Sequence, residues 1–291
     1  MKRFKVKLLC STVSSLPSTF NVPRLPRVPV FLRSLFIFFV FWAHPSRAAE
    51  NWEEIKGKHF VVYFYPLRNR EIADTVLRRA EDYYQKVGSQ IGYTRYYNFW
   101  TWDERVRIVL FPDQQSFVER TGQPAWAGGY SVRDSYLFQS RTIVTYYQES
   151  NFYDELLPHE ISHLILRDFT SNRIPIWFEE GVAQLHEKSK TQVAAQTMKA
   201  LIKHRQYIPL AILMSWDIRK EQDSHKVQIF YMESLSIVEY LLKNYGSTAF
   251  GKLCHHLKDG KTFEEALRGT YTNNINTIED LESKWITSMS Q

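Results

Sequence analysis

Hydrophobic and polar positions follow a strand period early in the chain and a helix period later. Short alternating or apolar runs predict strands over 59–65, 105–111, 129–133 and 141–147. Helical spacing predicts a helix over 71–87 and a short one through Glu119. Beyond residue 150 the pattern is mainly helical, including 182–200 and a long helix over 229–245 that Gly246 closes. This order predicts an α+β fold in which a small mixed sheet precedes a helical region.

Helical spacing of apolar residues continues through the run L-P-H-E-I-S-H-L at 157–164, which contains an H-E-x-x-H motif. On a helix, His159 and His163 lie one above the other and can offer two imidazoles to one metal ion. Glu160 projects about 100° away, within reach of a water bound to that ion. Pro158 belongs either to the first turn of the helix or to a kink just before the histidines.

The residue types of this motif favour zinc. Two neutral imidazoles suit Zn²⁺, which lowers the pKa of a bound water to about 7. The carboxylate of Glu160 can then take a proton from that water and deliver it to a leaving amine. The pattern therefore predicts hydrolysis by a metal-activated water, most often of peptides, with one zinc ion per chain.

A second segment, I-P-I-W-F-E-E-G-V-A at 174–183, follows the motif. Together the two segments resemble the gluzincin metallopeptidases, and most closely their peptidase MA-like domains. The resemblance implies a zincin-like fold, with Glu180 as the third zinc ligand. Glu179 is then either an ordinary solvated carboxylate at a helix start or a fourth ligand. The resemblance extends over most of 52–288, but only the two motifs are specific.

Departures from related families narrow this assignment. Metzincins carry Gly and His where this chain has Leu166 and Phe169, so that branch is excluded. The G-x-M-E-N segment with which related aminopeptidases hold a substrate amine has no counterpart, which favours an endopeptidase. Many gluzincins carry an acid four residues after the ligand glutamate, where it orients a histidine. Gln184 occupies that position and is expected either to accept an imidazole N–H or to be an ordinary polar residue.

The resemblance also implies substrate-binding and catalytic groups. In gluzincins the last strand before the motif helix is an edge strand that pairs with an extended peptide. By order in the sequence, that strand contains Thr142, Ile143, Val144 and Thr145. The oxyanion that forms during hydrolysis needs a further donor. Tyr231, at the opening of a downstream helix, matches the family pattern, with His225 as the alternative.

The N-terminus predicts export. Residues 1–48 contain eight Lys or Arg, no acidic residue and an apolar run at 35–43, followed by small residues suited to cleavage after Ala48. An uncleaved anchor over 28–43 is the alternative. Without this segment the chain has 29 basic and 31 acidic residues, a net charge of −2, so no nucleic-acid partner is expected. The expected location is periplasmic or extracellular.

These inferences define one predicted protein. Residues 49–291 are expected to form a peptidase MA-like domain, with a mixed-sheet lobe over about 52–170 and a helical lobe over about 171–291. Cys254 has no partner outside the export segment, so a buried free thiol is predicted. The predicted function is zinc-dependent hydrolysis of a peptide or protein substrate. The alternative is a binding or structural module without turnover, in which Glu179 or His225 completes the zinc coordination.

Overall fold

The computed structural model of this chain describes residues 52–65, 70–93, 100, 102–125, 127–132, 141–147, 152–170, 174–187, 189–272 and 274–290. The strands are β1 (Glu53–Lys56), β2 (Phe60–Phe64), β3 (Val106–Phe111), β4 (Gly129–Val132) and β5 (Thr142–Tyr146). The α-helices are α1 (Arg70–Ile91), α2 (Gln114–Thr121), α3 (Leu157–Thr170), α4 (Ile176–Gln184), α5 (Lys190–Lys203), α6 (Leu210–Leu213), α7 (Ser224–Lys258), α8 (Phe263–Thr270) and α9 (Ile278–Met289). Short 3-10 turns occupy Trp102–Glu104 and Ile218–Lys220, and a π turn, Phe152–Leu156, leads into α3.

The strands form one mixed sheet in the order β1-β2-β3-β5-β4. Strands β2, β3 and β5 are parallel, whereas β1 and β4 pair antiparallel with their neighbours at the two edges. Parallel neighbours require a crossover, and α1 supplies it between β2 and β3. The predicted α+β class with a small mixed sheet is confirmed.

Both faces of the sheet are covered by apolar side chains. Successive residues of a strand point to opposite faces. Accordingly, Ile143 of β5 joins the main core with α1, α3 and the later helices, whereas Val144 joins a smaller cluster with Phe117 of α2. The main core continues without interruption into the helical region, so α3 lies between the sheet and the later helices.

The structure differs from the predicted elements most clearly at β1, at residues 182–200 and at Gly246. Strand β1 has no counterpart among the predicted strands. The helix predicted over 182–200 is broken, because α4 ends at Gln184 and α5 begins only at Lys190. The long helix predicted to close at Gly246 does break there, with non-helical angles (φ 79°, ψ 167°), but helical turns resume after it.

The predicted export segment, residues 1–48, lies outside the described residues. None of the helices that are described combines the length and the apolar character needed to cross a bilayer. Cys254 is a buried free cysteine, as predicted, and burial raises the pKa of its thiol.

Two carboxylates hold the segment that leads into α6. Glu233 Oε2 of α7 accepts the N–H of Ile208 at 2.9 Å. Glu282 of α9 accepts the N–H of Leu210 at 2.6 Å and the Tyr207 hydroxyl at 3.3 Å. The Glu233 side chain is fully buried, and its Oε1 has no hydrogen-bond partner in the described part of the chain. Burial raises the pKa of Glu233 to about 8, against the effect of the Ile208 N–H and with a contribution from Glu282.

Glu233→Gln is expected to increase stability near pH 8 and to flatten the pH dependence of unfolding. A glutamate in the unfolded chain ionises near pH 4.5, so between pH 4.5 and 8 the folded state holds a proton that the unfolded state has lost. This group's contribution to stability is therefore complete below pH 4.5 and is lost as the pH rises to 8. We expect a gain of at most about 5 kcal/mol at pH 8 for the variant, since each pKa unit between 4.5 and 8 corresponds to about 1.4 kcal/mol.

Denaturant unfolding measured at several pH values between 4.5 and 8 tests this expectation. The control is Glu264→Gln, which removes an exposed carboxylate from α8. A Glu233→Gln protein that keeps the wild-type slope of unfolding free energy against pH would contradict it.

Candidate metal centre

Helix α3 carries His159, Glu160 and His163 in a buried setting. The helix begins at Leu157, directly after the π turn, so Pro158 lies in its first turn, where the missing N–H is not needed. The three polar side chains are only 3%, 2% and 1% exposed, because apolar residues of α3 pack on both sides of the helix. Polar groups buried to this extent require partners.

Helix α4 supplies a fourth polar side chain, Glu180. Trp177 and Phe178 anchor this helix in the core with no exposed surface. Gly181 allows close packing on α7, since a Cβ atom there would lie 2.4 Å from the carbonyl oxygen of Ser234. A larger residue at this position would therefore displace α4 and with it Glu180.

His159, His163 and Glu180 form a triangle of potential ligand atoms, all within 4.8 Å of one another. The two Nε2 atoms are 3.0 Å apart, and Glu180 Oε2 lies 3.7 Å from each. Bonds of about 2.1 Å at tetrahedral angles would place donor atoms about 3.4 Å apart, between these values. Glu180 Oε2 is buried and has no hydrogen-bond partner in the described chain, as expected of an oxygen that binds a cation. The triangle therefore fits a divalent metal ion.

The outward-facing nitrogen of His159 is held by Glu187. Its Nδ1 lies 2.9 Å from Glu187 Oε1, and the Glu187 side chain has no exposed surface. Lys190 Nζ, at the start of α5, lies 2.5 Å from the other carboxylate oxygen. This arrangement directs Nε2 of His159 towards Glu180.

His163 has a corresponding partner in Glu179. Its Nδ1 lies 2.7 Å from Glu179 Oε1, and Arg167 Nε donates to the same oxygen at 2.5 Å. The expectation that Glu179 is an ordinary solvated carboxylate is therefore wrong. Its place at the start of α4 turns the side chain back towards α3, one residue before Glu180.

Burial and charge act against each other in this cluster. Burial lowers the pKa of His163, but Glu180 and Glu179 outweigh it and raise the pKa above its ordinary value. Burial favours the neutral form of Glu179, yet His163 and Arg167 hold its pKa at about 2. Burial raises the pKa of Glu180 despite the two histidines. A metal ion would replace protons in such a site.

Gln184 does not orient a histidine, contrary to one of its two predicted roles. Its amide donates to the carbonyl oxygens of Glu180 at 3.3 Å and Tyr231 at 3.1 Å, which ties α4 to α7. The outer nitrogens of His159 and His163 are already held by carboxylates. Gln184 is therefore a polar residue that links two helices.

Glu187 was missed because the sequence predicts an unbroken helix over 182–200. On such a helix Glu187 would lie two turns beyond Glu180 on nearly the same face, and nothing in the pattern pairs it with His159. One feature of the sequence could have indicated Glu187. The position four residues after Glu180, where an acid that orients a histidine is expected, holds Gln184, and Glu187 is an acid shortly after it. The segment between α4 and α5 contains no glycine or proline, so the sequence does not predict the helix break that brings Glu187 to His159.

Glu160 is the remaining acid of the motif helix. It is buried, and its Oε2 makes no hydrogen bond within the described residues. A buried carboxylate oxygen without a partner is costly, and such atoms are typical of places where a water or a substrate group binds. The arrangement supplies a proton acceptor next to a potential metal ligand on the same helix.

The two predicted oxyanion donors lie near the start of α7. Tyr231 is half-buried and packs edge-on against Phe230, with ring centroids 5.6 Å apart. Its backbone is next to α4, because its carbonyl accepts the Gln184 amide. His225 is exposed in the first turn of α7. Between the two, the structure brings Tyr231 closer to the helix that carries Glu180.

The prediction that Thr142, Ile143, Val144 and Thr145 lie on an edge strand is wrong. These residues belong to β5, which pairs with β3 on one side and β4 on the other, and all four are buried. No backbone there is left to pair with a peptide. Strand β4 lies outside β5 although it precedes it in the sequence, so β4 is the edge on this side of the described sheet. Strand β4 also contacts α3.

Comparison with known proteins gives one family match. The family model described as the peptidase MA superfamily matches residues 106–290, more than half of the chain. The matched range begins at the first residue of β3 and includes the whole triangle. A search of curated proteins found no match.

Proposed function

This chain belongs to the peptidase MA superfamily, and from that premise we propose that it is a zinc-dependent endopeptidase that acts outside the cytoplasm. The observation that carries the proposal is the triangle of His159, His163 and Glu180, with Glu160 on the same helix. Two imidazoles and one carboxylate are the ligand set of many catalytic zinc sites, which keep the fourth position for water or substrate.

The residues of the proposed metal centre have two roles, metal binding and proton transfer. His159, His163 and Glu180 would hold zinc, which supplies a Lewis acid and lowers the pKa of a water when it is bound. Glu160 takes the proton from the attacking water and passes it to the leaving amine. Its burial makes this transfer effective, because water competes poorly for the carboxylate there.

Tyr231 is proposed to stabilise the oxyanion by donating from its hydroxyl group. The Gln184 amide supports this role, since it fixes the Tyr231 backbone against the helix that carries Glu180. His225 lies two turns earlier on the exposed side of α7 and remains the alternative donor.

An extended substrate is proposed to pair with β4. A peptide can add to a sheet only at an edge, and β4 is the edge that contacts α3. The lack of an amine-binding segment in the sequence supports cleavage within chains rather than at their ends.

The alternative of a structural zinc module finds less support. That alternative needs a fourth protein ligand, for which Glu179 and His225 were the candidates. Glu179 bonds instead to the outer nitrogen of His163 and to Arg167, and His225 is exposed. Within the described residues the candidate ligand group contains three members.

Export is proposed from the sequence of residues 1–48, with cleavage after Ala48 or retention of 28–43 as a membrane anchor. The remaining domain has a net charge of −2 and a single cysteine, so it contains no disulfide-forming pair. Its stability therefore depends on the apolar core rather than on covalent links.

The proposal is tested by zinc content and proteolysis measured on the same purified protein. We expect about one zinc per chain by elemental mass spectrometry, and hydrolysis of an unfolded protein such as casein. A chelator should abolish hydrolysis, and added zinc should restore it. A protein that binds no zinc under metal-replete conditions would overturn the proposal, and one that binds zinc but cleaves no member of a broad peptide library would support the binding-module alternative.

A further inference from the structure

Each histidine of the triangle stands at the inner end of a chain of three polar side chains. The two chains are His159–Glu187–Lys190 and His163–Glu179–Arg167. Their carboxylates come from different places, since Glu179 belongs to the first turn of α4 and Glu187 to the connection between α4 and α5. The two histidines are therefore held independently of each other.

The contacts define the tautomer of each imidazole. An ionised carboxylate only accepts hydrogen bonds, so Nδ1 must carry the proton in both histidines. Nε2 then has the free lone pair, and both Nε2 atoms face Glu180 Oε2 at 3.7 Å. A ring that lost its carboxylate could rotate or exchange tautomers, and it would then present no lone pair to the centre.

The outer cations balance the outer carboxylates. Lys190 lies 2.5 Å from Glu187, and Arg167 lies 2.5 Å from Glu179. Each outer cation therefore offsets the charge of the carboxylate that holds its histidine.

The connection that carries Glu187 is itself fixed in place. Ser189 donates to Glu155, which belongs to the π turn before α3. Lys190, which pairs with Glu187, opens α5. These two contacts, both just after Glu187 in the sequence, thus hold the connection to the π turn before α3 and to the start of α5.

We propose that Glu187 and Glu179 are positioning residues that set the zinc affinity of the centre, one for each histidine, while Lys190 and Arg167 balance their charge. The proposal rests on the proposed function in one respect, that the triangle binds zinc. It assigns to Glu187 the role for which Gln184 was the candidate by position, and it adds a second carboxylate, Glu179, behind the other histidine.

The test compares zinc affinity among single variants by competition with a chromophoric chelator. Glu187→Gln and Glu179→Gln each remove one carboxylate charge at nearly constant volume. Carboxylates that orient metal ligands typically contribute 10- to 100-fold to affinity, so we expect each variant's zinc Kd to rise by about that factor. The matched control is Glu264→Gln, which removes an exposed carboxylate from α8.

Two further measurements separate positioning from general loosening of the fold. The metal-free Glu179→Gln protein should keep the wild-type helical signal in circular dichroism, although its thermal midpoint falls because His163 and Arg167 lose an ionised partner. The visible absorption bands of the Co²⁺-substituted protein report ligand geometry. They should change in Glu187→Gln and Glu179→Gln and should remain as in the wild type in Glu264→Gln.

The outcomes distinguish this inference from the function on which it rests. Absence of zinc from the wild type would overturn both. A wild type that binds zinc, with Glu187→Gln and Glu179→Gln within about threefold of it, would overturn this inference alone. If Glu187→Gln does not fold, the result for Glu179→Gln decides, since that residue holds its histidine without the connection to α5.

Discussion

Glu160→Gln is expected to leave zinc bound and to lower kcat by about 10²- to 10⁴-fold. The amide keeps the shape of the side chain but cannot take a proton from the attacking water. Glu160 is buried, and its Oε2 has no hydrogen-bond partner among the described residues, so the substitution breaks no hydrogen bond at that atom. The loss should therefore fall on turnover and not on folding or on metal content.

Steady-state hydrolysis of a quenched fluorescent peptide, measured with zinc content on the same samples, checks this expectation. Glu264→Gln serves as the control, since it removes an exposed carboxylate from α8. Full activity in a zinc-loaded Glu160→Gln protein would sink the assignment of Glu160 as the general base.

Glu180→Ala is expected to abolish high-affinity zinc binding, with a rise in Kd of more than about 100-fold. The substitution removes one corner of the triangle and leaves two histidines whose Nε2 atoms are 3.0 Å apart. Burial raises the pKa of the Glu180 carboxyl, so its loss also removes an unfavourable buried group from the metal-free protein. The metal-free variant should accordingly fold.

Thermal unfolding with and without zinc separates these effects. A ligand at 100 times its Kd stabilises the folded state by about 2.7 kcal/mol, so zinc should raise the wild-type Tm by several degrees. The Tm of Glu180→Ala should not respond to the same concentration. An equal zinc-dependent shift in the two proteins would mean that the metal binds elsewhere.

The sequence predicted correctly those features that depend on residues close to one another in the chain. The i, i+4 spacing of His159 and His163 needs only a helix, and the apolar residues around them predict one. Alternating patterns likewise predicted β2, β3, β4 and β5 to within about two residues, as is usual for such boundaries. Gly246 marked a helix break because only glycine readily adopts its backbone angles.

The sequence could not predict features that depend on contacts between segments distant in the chain. The order of β4 and β5 depends on which strand pairs with β3, and both alternate in a similar way. The break between Gln184 and Lys190 depends on a contact between Glu187 and His159, 28 residues away. Hydrophobic periodicity carries no information about a polar contact between two separate segments. Glu187, which holds His159, could therefore not be identified from the pattern alone.

The metal centre and the sheet differ in the length of chain that separates their contacting residues. Everything that forms the triangle and its supports, from His159 to Lys190, lies in one continuous stretch formed by α3, α4 and the following connection. The parallel pairs of the sheet instead join β2 to β3 and β3 to β5 across long crossovers. Since loop-closure entropy grows with the length of the closed loop, the ligands can meet at a lower entropic cost than the central strands. The proposed metal ligands and their carboxylate partners therefore belong to a more local part of the fold than the central strands, and the slower, non-local folding steps are expected in the sheet.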